Sequence, residues 1–155
     1  MSFLKRYRDC RKLHTASFCL RDSIGETAKP VPQSLPALLH RATGCPQDHI
    51  YIRDAQLDTI AYEEAQDFLK YDKTDQKHYV RNTFDCDDFA DLLYVAARMY
   101  FLEKGINAAW GNVWDSGHAT NCFISNLHKV YIVEPQTDEL HSIEYLQGRP
   151  RFIKM

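Results

Sequence analysis

The sequence places a thiol, an imidazole and a carboxylate in chain order: Cys86 in TFDCDDFA (83–90), His118 in GHATN (117–121) and Glu134 in VEPQ (133–136). Nucleophilic thiol chemistry needs three such roles, a thiol, a base that removes its proton, and a third group that holds the base in one tautomer. Cys86 stands just before a long apolar-periodic run, hence at a helix N-terminus, where unpaired N–H groups and the positive end of the dipole favour an anion. Asp85, Asp87 and Asp88 work the other way, because a negative field disfavours a thiolate. A structural reading competes: cysteine is a common small core residue, and acids at these positions are ordinary helix caps. The joint occurrence of Cys86, His118 and Glu134 in compatible elements favours the chemical reading.

The elements that must position these groups follow from periodicity. Phe89, Leu92, Leu93, Ala96, Ala97, Tyr100 and Phe101 recur at three and four, and EKG closes the run, which predicts a central helix over 86–104. YEEAQDFLKY (62–71) predicts a second helix with its acids early and its lysine late, residues 37–42 a short one, and HIYIRD (49–54) alternates like a strand. Beyond Gly105, short segments rich in β-formers follow: 108–115, 118–125, 129–135 and 142–146. The expected fold class is α+β, a central helix packed on a small antiparallel sheet. If NLH (126–128) is the hairpin loop, Thr120 faces Glu134, and His118 and Glu134 become diagonal neighbours on one face. Cys122, Ile124, Val130 and Ile132 share that face, an apolar patch for the long helix. Trp110 and Trp114, on the strand leading to His118, line either a substrate cleft or the core. Thr120 and Asn121 read as sheet residues.

A chain of 155 residues with 45% apolar and 26% charged residues suits one globular domain with its own core. Five cysteines, at 10, 19, 45, 86 and 122, form no CxxC pair and read as free thiols of a reducing compartment, so a cytoplasmic location is expected. No run is apolar enough to span a membrane, and the N-terminus does not read as a secretory signal. The net charge of −2 hides an asymmetry, seven Lys/Arg against three acids in 1–30 and twelve against eighteen in 31–155. The expected division is a basic arm and Pro-rich linker over 1–36, including FLKRYRDCRK and IGETAKPVPQSLP, then the α+β domain over 37–155. Nucleic acid is not an expected partner, because no nucleic-acid fold signature accompanies the arm.

The three motifs in order resemble the papain-like domain at the C-terminus of a fungal mushroom agglutinin, a chimeric lectin with calcium-dependent cysteine protease activity. Asp-Cys-acid-Asp also resembles bacterial transglutaminase-like cysteine proteinases. The resemblance covers roughly residues 60–137. It implies a papain-like core, Cys86 as nucleophile, His118 as general base, Glu134 as its orienter, and a protein or peptide substrate. It further implies calcium held by Asp85 and Asp87, with Asp88 as a further ligand. A divalent ion there would invert the field that the bare aspartates impose on the thiol. Larger papain-type enzymes place a glutamine six positions before the cysteine, where this chain has Val80; Gln76, Asn82, Gln136 or the Cys86 backbone N–H are the alternative oxyanion donors. Two other expectations stand beside cysteine hydrolysis: acyl transfer to an amine, and a non-catalytic adaptor of a phage or bacterial assembly. The sequence does not specify the oligomeric state.

Overall fold

The computed structural model describes residues 29–31 and 34–155, so the basic stretch 3–12, Cys10 and Cys19 lie outside the described residues. Among the described residues the fold is α+β, a mixed six-stranded sheet with three α-helices. The helices are α1 (Leu35–Thr43), α2 (Tyr62–Tyr71) and α3 (Cys86–Glu103). The strands are β1 (Ile50–Tyr51), β2 (Trp110–Trp114), β3 (Ala119–Ile124), β4 (Val130–Glu134), β5 (Glu139–His141) and β6 (Phe152–Lys154). Their order across the sheet is β1-β6-β2-β3-β4-β5.

Local chemistry accounts for the helix ends. Pro36 stands in the first turn of α1, where its missing N–H costs nothing, and Gly44 ends the helix in a left-handed conformation, its N–H donating to the His40 carbonyl. The helix α3 ends one residue before Lys104 and is followed by Gly105 at φ 72°, where the absence of a Cβ removes the steric penalty.

The hairpin β3–β4 has the expected register, with Asn121 opposite Val133, Cys122 opposite Ile132 and Ile124 opposite Val130. Its loop is 126–128, with the Ser125 N–H donating to the Lys129 carbonyl and His128 in the left-handed region.

Three expectations are corrected. The sheet is mixed, because β1 runs parallel to β6, which inserts between β1 and β2. Residues 142–146 are a 3₁₀ turn over Ile143–Tyr145, while β5 at the sheet edge and β6 between β1 and β2 are strands that the pattern did not reveal. The third correction concerns sides. Cys122, Ile124, Val130 and Ile132 pack with Leu35, Leu38 and Leu39 of α1. The long helix lies on the opposite face, where Leu93, Ala97 and Phe101 meet Trp110, Phe123 and Val133. Every side chain of β3 is buried, since the strand is covered on both faces. Trp110 is fully buried and stacks on Phe123 at 5.5 Å, so it belongs to the core and not to a cleft.

Two polar ties fix α3 over the sheet. Asn121 Nδ2 donates to the Ala90 carbonyl at 2.9 Å, and Asn112 Nδ2 donates to Asp91 Oδ1 at 2.5 Å. Since both strand residues lie toward the same end of the sheet as His118, they bring the first turn of α3 to that end. A Cβ on Gly111, between the two ties, would collide with the Lys154 carbonyl, so glycine lets β6 approach β2 closely.

Candidate functional site

Phe84, Asp85, Cys86, Asp87, Asp88 and Phe89 build one helix start. Asp85 is the N-cap in an extended conformation, and its N–H donates to Asp88 Oδ2 at 3.1 Å. Phe84 packs on Phe89 with ring centroids 4.8 Å apart, the hydrophobic staple across the cap. A tight turn precedes it: Val80 and Phe84 exchange backbone hydrogen bonds, Asn82 sits at φ 59°, and the Asn82 N–H donates to Asp85 Oδ2 at 2.9 Å. Cys86 is thereby held half-buried in the first turn, where helix amides have no intrahelical acceptor.

The acids divide into two kinds. Asp88 serves the helix as a cap. A hydrogen bond between Asp85 and Asp87 holds Asp85 below the ordinary carboxylate range and pushes Asp87 above it. Ligand atoms of Asp85, Cys86 and Asp87 lie within 4.8 Å of one another. Sulfur is too soft for calcium, but two adjacent carboxylates are a donor pair that a hard divalent ion fits, with water for the rest of its shell.

His118 comes from the other side of the sheet's end. The β2–β3 connection, 115–118, is stapled by Asp115, which is 2% exposed. Its Oδ1 accepts the Gly117 and His118 N–H groups, both at 3.0 Å, and its Oδ2 accepts the Gln147 N–H at 2.9 Å. Burial opposes ionisation of Asp115, but these three backbone donors outweigh it and hold the carboxyl below its ordinary range.

His118 Nε2 meets Glu134 Oε2 at 2.6 Å. The Cys86 thiol acts on the same ring and helps to raise its pKa, and with Nε2 committed to Glu134, Nδ1 is the nitrogen left for sulfur. Glu134 is 5% exposed, and its other oxygen accepts the Gln136 N–H at 3.1 Å. Tyr145 Oη donates to Glu134 Oε2 at 2.9 Å. The Glu134 hydrogen bond, set against desolvation and helped by Cys86, raises His118 from 6.5 to about 9. Burial works against the Glu134 carboxylate, but the hydrogen bonds from His118 and Gln136 prevail and hold its pKa down.

The structure thus brings Cys86, His118 and Glu134 together, with Asp85 and Asp87 beside the thiol. Gln136 turns its backbone N–H to Glu134. Trp114 pairs with Ala119, the residue after His118, and packs on Phe152 at 5.4 Å, half-buried near the site. Two residues were missed from sequence. Asp115 had a signal, an Asp two residues before a Gly in a hairpin connection; Tyr145 had none.

No family model matches the chain, and no curated protein does. The solved structures give a fold match. One, described as PSL1a in complex with E64, superposes with a TM-score of 0.71 at 20% identity over 81% of this chain. Another, Polyporus squamosus lectin bound to the human-type influenza-binding epitope Neu5Acα2-6Galβ1-4GlcNAc, gives 0.63 at 18% identity over 84%. The chain is similar in fold to part of each of these chains. This chain spans about half of each, 50% in both cases. The match contradicts the protease, papain-like and transglutaminase-like labels expected from sequence, since the neighbour whose description names its kind is a lectin. At such identity the likeness concerns fold alone. Among the described residues, no helix is long and apolar enough to cross a membrane.

Proposed function

We propose that the chain is a cysteine hydrolase acting on amide bonds, with Cys86 as nucleophile, His118 as base and Glu134 as the group that orients the base. The observation that carries this reading is the 2.6 Å contact of His118 Nε2 with the buried Glu134 carboxylate, on a ring that the Cys86 thiol also acts on. As Sγ attacks the substrate carbonyl, Nδ1 of the His118 rings that are neutral takes the thiol proton, a fraction that grows as pH rises toward 9. The tetrahedral intermediate then collapses, the C–N bond breaks, and the ring returns the proton to the departing amine. Water cleaves the resulting thioester with the same ring moving its proton. An amine in place of water would give acyl transfer. The first-turn amide of Cys86 is the donor nearest at hand for the oxyanion. A protein or peptide substrate is part of this proposal, as is calcium held by Asp85 and Asp87. When bound, the ion would bring positive charge beside the thiol.

The test uses a thiol alkylator and a fluorogenic peptide amide. E64 carries an electrophilic epoxide, and the expected result is one adduct on Cys86, lost in Cys86→Ala. Cys45 and Cys122 are buried, and burial raises both thiols, Cys122 to about 12, so neither competes. Added Ca²⁺ is expected to speed the labelling and a chelator to reverse it, an effect lost in Asp87→Asn. Labelling as slow as that of a free thiol in unfolded peptide, with no amide cleavage, would overturn the hydrolase reading and favour a non-catalytic adaptor.

A second reading is glycan binding, supported by the lectin match and its named sialylated epitope. A groove of about 560 Å³ between α2 and β5, lined by Tyr62, Gln66, Lys70, Asp138, Glu139 and His141, offers an aromatic face among polar groups. Saturation-transfer NMR with that trisaccharide checks it; the absence of transfer removes this reading without touching the first.

A further inference from the structure

We propose that Tyr145 is a positioning residue of the Cys86–His118–Glu134 set, dividing the charge of the Glu134 oxygen that faces His118; this rests on the hydrolase reading. Glu134 Oε2 accepts two donors, His118 Nε2 at 2.6 Å and Tyr145 Oη at 2.9 Å, while Oε1 accepts the Gln136 N–H. An oxygen shared between two donors is a weaker partner for either. An undivided carboxylate would hold the imidazolium too firmly, and the ring must give its proton up to the departing amine in every turnover.

The phenol is built into this place. Its ring lies 3.9 Å from the His141 ring at an interplanar angle of 4°, and β5, which carries His141, pairs with β4, which carries Glu134. The segment after it is tied to the His118 connection by the Gln147 N–H on Asp115 and by Ser116 Oγ donating to the Gln147 carbonyl. Ile143 and Leu146, on either side of Tyr145, pack against the core. The groups that act on the hydroxyl are Glu134, Glu139 and Asp115; with burial they push its pKa up to about 12, so it remains a donor throughout the working range. Those that act on His118 are Glu134, Cys86 and Asp115. A hydroxyl on the surface for solubility alone would need none of these ties.

The test is Tyr145→Phe, which keeps the stack on His141 and removes only the hydroxyl. Two readouts are taken, turnover of the peptide amide and titration of the His118 ring by NMR. With the hydroxyl gone, Glu134 bears on His118 undivided, so the titration is expected to move upward and kcat to fall about tenfold, with KM changed less than about twofold. A native titration midpoint in the variant overturns the inference, and so does a native kcat. If the wild-type chain neither cleaves amides nor reacts with E64, the hydrolase reading has failed. The catalytic role of Tyr145 then falls with it, whereas the NMR shift still reports separately whether the hydroxyl divides the Glu134 charge.

Discussion

At the scale of single residues, the His118–Glu134 pair is the electrostatic centre of the site, and it ties stability to pH. A histidine raised from 6.5 to about 9 contributes stability that is fully present below pH 6.5 and is lost as pH rises through 9. Glu134, held below its ordinary range, contributes in the other direction, and its share is lost only as pH falls through that lowered value. The native chain is therefore expected to lose thermal stability between pH 6.5 and 9, and Glu134→Gln to flatten that decline; melting temperatures across this range check it. The same variant is expected to slow amide cleavage, since a glutamine can hold the ring but cannot balance its charge. Cys86, His118 and Glu134 were legible because their roles demand particular residue types. Asp85 and Asp87 were legible as a pair, whereas Asp88's engagement as a cap depends on where one carboxylate oxygen points.

At the scale of elements, the start of α3 matters most, because cap and nucleophile occupy neighbouring positions. Asp88→Ala removes the acceptor for the Asp85 N–H and is expected to cost about 1 kcal/mol, read by urea unfolding. Because Phe84 still staples Phe89, the helix should form and the loss stay near that value. The helices α2 and α3 were legible to within a residue or so, since amphipathic periodicity and end signals coincide. The strands β5 and β6 were not, being three residues long, too short for alternation to register, whereas the strand expected over 49–54 is present as β1, shortened to Ile50–Tyr51. The segment 142–146 read as a strand from its β-formers, but it turns instead, with the Tyr145 and Leu146 amides donating to Ser142 and Ile143 carbonyls. Tertiary packing of Ile143 and Leu146 overrides propensity there.

At the scale of the molecule, two apolar layers clamp one sheet. Leu39, fully buried in α1, fills the layer opposite the long helix, and Leu39→Ala is expected to cost about 2–5 kcal/mol in urea unfolding. The sequence by itself determined the two longer helices and the β3–β4 register, because each depends on spacing within a short stretch of chain. Only the tertiary structure decided which helix covers which face of the sheet. With β3 buried on both sides, alternation carries no sign of inside and outside, and the long helix took the face opposite to the one its pattern suggested. Tertiary structure also decided the partners of Glu134 and His118 beyond each other. Tyr145 reaches Glu134, and Gln147 reaches Asp115, through contacts that no local pattern encodes, formed only once the sheet has brought distant turns to one end.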